Sequence, residues 1–297
     1  MMWIWYILFA QFIWASFNVI QKIIITKKIK KEIVYLVITN TIYCSMTFLL
    51  LFFKRPSFDN IPVIMIAVLA GIFSFFGALM FFKTLHHEEI SRIAPLFNLT
   101  PILILLLSFI FLKENLSFEN YISFFLIILG GFLISIKIDG KKLRVSKVIF
   151  LMMLSCLFFA ISNILIKYSS RYLDVYSYFF YSIMGWFIST IPFFFSKTVV
   201  KDIINKVKTL GKKTWILIIA IEVAALPVTY LVSTVIKTID ISLIAIVGNT
   251  QPVFVLLIAT LLSHKFPHLI EEDKSRKALL IKASAILIMF IGLYLLK

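Results

Sequence analysis

Charge is what this 297-residue chain has least of: 15% of its residues are charged, and only 14 are acidic. A soluble domain carries about a quarter charged residues, so an ordinary water-soluble fold is excluded. Cysteine is almost as scarce. Cys44 and Cys156 are the two present, both inside apolar stretches, which excludes a disulfide framework and a cysteine metal site. The four histidines offer no ligand spacing either: Pro267 interrupts any helix joining His264 to His268, and His86-His87 stand beside Glu88-Glu89 without a ligating pattern. No glycine-rich phosphate loop is present, so direct drive by ATP is excluded and no cofactor is implied.

What is there instead is hydrocarbon. The chain is 61% hydrophobic, contains 31 Phe, and has a mean hydropathy of +1.02. Several windows of about twenty residues are nearly free of charge, the length a helix needs to cross a bilayer. Ten spans are predicted, near 3–25, 33–53, 61–82, 93–112, 120–136, 148–166, 174–195, 215–236, 241–262 and 278–296. Apolar runs this long, without period-two alternation, are helical in lipid. The expected fold is therefore an all-α integral membrane protein. Residues 1–25 lack a basic leader region and a cleavage site, so they read as a retained span. The net charge of +16 sits in connectors between spans, where lipid headgroups account for it better than nucleic acid does.

The segment Ile90-Ser91-Arg92-Ile93-Ala94-Pro95-Leu96-Phe97-Asn98-Leu99-Thr100-Pro101 returns 151 residues later as Ile241 to Pro252, with the Ile, Ser, Ile, Ala, Asn and Pro positions kept. Ala15, Asn18 and Lys22 match Ala160, Asn163 and Lys167 at an offset of 145. This is an internal repeat, with copies at 1–139 and 146–297. The offset grows because the connector after the seventh span is longer. Five spans per copy force opposite orientations, giving two inverted five-helix repeats, the usual basis of alternating access around a midplane site. Most of the 30 Lys and Arg follow odd-numbered spans, which puts those connectors in the cytoplasm and both termini outside.

The order of these features resembles the EamA branch of the drug/metabolite transporter superfamily. The resemblance rests on Trp14 to Lys22, Ala94 to Pro101, Lys113-Glu114-Asn115-Leu116-Ser117, and Gly130-Gly131. It covers nearly the whole chain. It departs after the ninth span, where Ser263-His264-Lys265-Phe266-Pro267 replaces the family's Glu. The resemblance implies a secondary transporter in the cell membrane, exporting an amino acid or similar small polar metabolite, as a monomer or homodimer. It also implies cytoplasmic termini, against the charge distribution.

Glu222 is the one acidic residue deep within a span. An intramembrane carboxylate is costly and is by default a functional group, here the candidate carrier of a coupling proton or ion. Asn98 and Asn249 each precede a proline by three residues. Pro101 and Pro252 free the carbonyls of Phe97 and Gly248, and an amide beside such a kink can bind solute or bond to a neighbouring helix. Asn18 and Asn163 carry the same two readings. Tyr43, Trp186 and Tyr230 are candidates for stacking on a solute or for packing. Lys22 and Lys167, near span ends, either attract an anion or extend to the headgroups. Two rivals stand beside the transporter: a scaffold or regulator with a plugged cavity, and an intramembrane enzyme. The second would need clustered acids, and Glu271-Glu272-Asp273 is the one dense patch. A channel would need a ring of like charges, which is missing.

Overall fold

A computed structural model describes residues 2–87, 96–135, 147–265 and 276–296. Ile90 to Pro95 of the first repeat copy, the connector 136–146, and Phe266 to Ser275 with its acidic patch lie outside the described residues. Among the described residues all regular structure is helical. The first part of the chain contains α1 (Met2–Ile23), α2 (Glu32–Leu49), α3 (Ile61–His87), α4 (Leu99–Leu107) and α5 (Phe118–Ser135). The second contains α6 (Lys147–Tyr172), α7 (Val175–Phe194), α8 (Lys197–Thr209), α9 (Lys212–Thr238), α10 (Ile241–Gly248), α11 (Gln251–Lys265) and α12 (Arg276–Leu295).

Among the described residues, six helical runs are long and apolar enough to cross a membrane, seven if α7 and α8, bent by 104°, are taken as one. Leu99–Leu112, Phe118–Leu133 and Ala283–Leu295 are shorter apolar helices. Many large apolar side chains point outward, Phe52, Phe111, Phe125 and Tyr294 among them. In water such a surface would aggregate, whereas in lipid it is solvated. The connector after the seventh span is not a plain loop: Lys197–Thr209 forms a helix of its own.

Lipid supplies little hydrophobic drive between helices, so close packing and interhelical hydrogen bonds hold such bundles together. α3 lies against both α6 and α7, and α5 lies against α12. Gly71 and Gly185 set the α3–α7 crossing. A Cβ at Gly71 would stand 1.8 Å from the Ser182 carbonyl oxygen, and one at Gly185 would stand 1.9 Å from that of Val68. On the α6 side, Ser155 donates to the Gly77 carbonyl and Ser162 to the Ala70 carbonyl, both at 2.8 Å. α1 packs on α9, α10 and α11, so the opening helix of each part is held by later helices of the other.

The connectors make ties of their own. Lys54, after α2, pairs with Asp174, before α7, at 3.2 Å. Next to it Ser57 N–H donates to Ser177 Oγ, and Tyr181 OH donates to the Ser57 carbonyl, each at 2.8 Å. A separate set joins the connector after α1 to α8: Lys31 pairs with Asp202, and Lys206 Nζ donates to the Lys28 carbonyl at 2.9 Å. Asp174 also caps α7, accepting from the N–H groups of Tyr176 and Ser177. Burial works against its charge, but the Ser177 hydroxyl and the Lys54 ammonium outweigh burial and hold the carboxyl below the usual carboxylate range.

Two outcomes are expected. Gly71→Ala or Gly185→Ala forces backbone apart and costs about 1–3 kcal/mol or more, read as a lowered melting temperature in detergent. Gly211→Ala, with nothing within 4 Å of its Cβ, leaves melting unchanged. The stability from Asp174 is present above the unfolded carboxylate pKa and lost as pH falls through the depressed folded value. Asp174→Asn therefore flattens the acid limb of the melting curve below about pH 4, whereas a limb as steep as wild type would contradict the role given to this carboxylate.

Candidate functional site

Glu222 sits on α9, nearly buried. Among the described residues, nothing donates a hydrogen bond to its carboxylate and no cation pairs with it. It faces α2 closely enough for its charge to act on Tyr35, Tyr43 and Cys44. The Tyr35 hydroxyl is buried and approaches Gln21, and the Tyr43 hydroxyl approaches Thr229. Five residues beyond Glu222, Pro227 lies inside α9. A proline there removes the bond to the carbonyl four residues earlier, that of Val223, and loosens the helix next to the acid. Tyr230 is 40% exposed and meets Phe179 edge-on, with ring centroids 5.5 Å apart.

The repeat offset of 151 sets Glu222 against Gly71. The two positions could hardly differ more. At Gly71 two backbones touch, and no side chain fits. At Glu222 a carboxylate occupies the corresponding face, opposite two phenols and a thiol.

Asn98 and Asn249 are brought together. A Cβ at Gly131 of α5 would stand 2.9 Å from Asn249 Nδ2 and 3.1 Å from Asn98 Oδ1. Both are buried; Asn249 Nδ2 donates to the Ile127 carbonyl at 3.4 Å, whereas Asn98 Nδ2 has no partner. Each asparagine stands at a helix end. Asn98 precedes α4, and Asn249 with Thr250 separates α10 from α11. Pro101 and Pro252 then fall in the first turns of α4 and α11, where a missing N–H costs little. The run Ile241–Ile258 nevertheless continues through Pro252 as one span. Gln11, buried on α1, approaches Gly248 at the second break.

The remaining candidates are dispersed. Asn163 donates to its own helix, at the Phe159 carbonyl, and Asn18 is half-buried on α1. Lys22 lies in the last turn of α1. Lys167 does not extend to the headgroups: its buried ammonium donates to the carbonyls of Ile236 and Ile239, at 2.9 and 2.7 Å, and so closes the end of α9. Lys237 returns the arrangement, donating to the Ser170 and Leu173 carbonyls at the end of α6.

Sequence reasoning quoted Glu114 only as part of a motif. In the fold its buried carboxylate accepts from the N–H groups of Ile241 and Ser242, each at 3.1 Å, and from the Ser242 hydroxyl at 2.6 Å. It is a cap supplied across the bundle, placed where the helix dipole favours an anion. Ser108 reinforces it through Ser242, at 2.6 Å between hydroxyl oxygens. The signal available beforehand was the lone acid at a span end, with Ile241-Ser242 opening the repeated segment. Glu114→Ala orphans three donors. With bonds to charged groups worth about 1.5–3 kcal/mol each, a large loss of thermal stability is expected, and a loss no greater than that of Ser242→Ala would contradict the cap.

Comparison with known proteins places this geometry. A solved crystal structure of 14% identity superposes with a TM-score of 0.71, covering 97% of this chain and 94% of its own, a likeness of fold. An uncharacterized protein of Methanocaldococcus jannaschii is 30% identical over 88 residues, which is 30% of this chain and 64% of that protein. The EamA-like transporter family matches residues 1–136 and again 146–271, once in each half. The chain belongs to the EamA-like transporter family, as a multi-pass membrane protein built from two copies of that unit.

Proposed function

We propose that this protein is a secondary active transporter that exports a small polar metabolite or amino acid by alternating access, with Glu222 as the group that carries a coupling proton or ion. The observation that carries the reading is Glu222 itself: a nearly buried carboxylate without a hydrogen bond or ion pair, facing two tyrosines and a cysteine, where the other half of the chain has a closed glycine contact. A stationary charge in such a place is costly. A charge that comes and goes is a working part.

The proposed frame is ten spans in two inverted five-helix copies, 1–139 and 146–297. Supporting it, the connector ties join odd-numbered connectors to odd and even to even. The stretch after α1 is tied to α8, which follows the seventh span. Lys54 after the second span is tied to Asp174 after the sixth, and Glu114 after the fourth to Ile241 after the eighth. Corresponding connectors, the second and the seventh, thus belong to different sets, as inversion requires. The two broken helices with their asparagines fit the same frame, since interrupted helices in paired halves commonly flank a solute site. Asn98 and Asn249, with Asn18, Asn163 and Tyr230, are the proposed solute contacts. Lys22 and Lys167 are the proposed source of positive potential.

The test is transport into proteoliposomes. Glu222→Gln keeps the volume and removes the ionisable group, so gradient-driven transport is expected to fall by at least about tenfold, the equivalent of 1.4 kcal/mol, while insertion and melting are retained. Undiminished gradient-driven transport in a folded Glu222→Gln protein would exclude the coupling role.

A further inference from the structure

Helix α8 lies at the edge of the bundle and packs on its core through the half-buried Ile203. It turns through 104° from α7, and none of its side chains is buried. Its sequence, Lys-Thr-Val-Val-Lys-Asp-Ile-Ile-Asn-Lys-Val-Lys-Thr, sets Val200, Ile203, Ile204 and Val207 on one side and lysines on the other. At its start a groove of about 380 Å³ is lined by Phe194, Phe195, Val200 and Ile204, with Lys197 and Lys201 at its edge. A basic amphipathic helix of this kind lies in the plane of the headgroups.

At the other end of α8 is a cleft of about 430 Å³, lined by Lys27, Lys28, Lys206, Lys212 and Lys213. Three separate segments supply these lysines: the end of the first span, α8, and the opening of α9. Among the described residues no carboxylate lines the cleft, and the nearby Asp202 is already paired with Lys31. The Lys206–Lys28 bond fixes the cleft's shape, since it ties α8 to the end of the first span. Five lysines lining one cleft give it a positive potential that favours an anion. The cleft opens where two spans end, so the anion within reach is a lipid phosphate.

We propose that this cleft is a binding site for the phosphate headgroup of an anionic phospholipid, with the apolar side of α8 seated in the acyl boundary beside it. The site is independent of what the protein carries. It does bear on α9: Lys212 and Lys213 open the helix that bears Glu222 ten residues later, so an occupied cleft would fix the position of that helix end.

The experiment is native mass spectrometry of the detergent-purified full chain. Dioctanoyl phosphatidylglycerol, dioctanoyl phosphatidylcholine and free glycerol 1-phosphate are titrated in turn. Retention of phosphatidylglycerol is expected to exceed that of phosphatidylcholine by about tenfold or more, and to fall by a similar factor in Lys27→Gln/Lys28→Gln/Lys212→Gln/Lys213→Gln. These lysines are exposed, and Lys206 is kept so that the tether survives. If the fourfold variant does not fold, Lys27→Gln/Lys28→Gln is read in its place, with a loss of about threefold expected. Arg55→Gln/Lys113→Gln, two exposed cations on the other set of connectors, should change nothing. Equal retention of the two lipids, or undiminished retention in the cleft variants, overturns the proposal. So does free glycerol 1-phosphate binding as tightly as the lipid, which would make this a site for soluble anions.

Discussion

A backbone carbonyl or N–H inside hydrocarbon has no water to turn to, and every irregularity in this fold is governed by that shortage. The helices end and break within or near the membrane, and each end leaves backbone groups that need partners. Side chains from the other side of the bundle meet that need. Glu114 receives the N–H groups that open α10, Lys167 closes α9, and Lys237 closes α6. Arg171 Nη2 adds a bond to the Leu112 carbonyl at 3.1 Å. The ionic residues so placed are expensive to bury alone, but each is surrounded by the partial charge it was missing. They do two things at once: they finish helices and they fasten the first part of the chain to the second.

Against that background an acid without a partner stands out. Glu114 has three donors; Glu222 has none among the described residues. The repeat makes the comparison sharper still, since the position corresponding to Glu222 is Gly71, where α3 meets α7 backbone to backbone. The same position thus carries a backbone contact in one half and a carboxylate in the other.

Much of the fold was legible in the sequence because hydrocarbon imposes so plain a pattern: long charge-free runs, short basic connectors, and one polar motif repeated. The family could be read from the order of those motifs, and the match in each half bears it out. Pro101 and Pro252 fall in the first turns of α4 and α11, directly after Asn98 and Asn249. Lys167 was read as an anion attractor or a headgroup anchor, and a carbonyl-rich helix end turned out to be nearer than either. The meeting of Asn98 with Asn249 at Gly131, and the reach of Glu114 to Ile241, join residues more than a hundred positions apart. No local pattern encodes such pairs. They follow from how the two copies are set against each other.

That setting is the central claim, and it can be tested with a membrane-impermeant thiol reagent. The two native thiols, Cys44 and Cys156, are buried, so single cysteines introduced by Lys28→Cys, Lys206→Cys, Lys54→Cys and Asp174→Cys report cleanly once Cys44→Ala and Cys156→Ala remove the background. Positions 28 and 206 should react from one side of the membrane, and positions 54 and 174 from the other. Labelling of 54 and 206 from the same side would give corresponding connectors the same orientation, and the two halves would not be inverted.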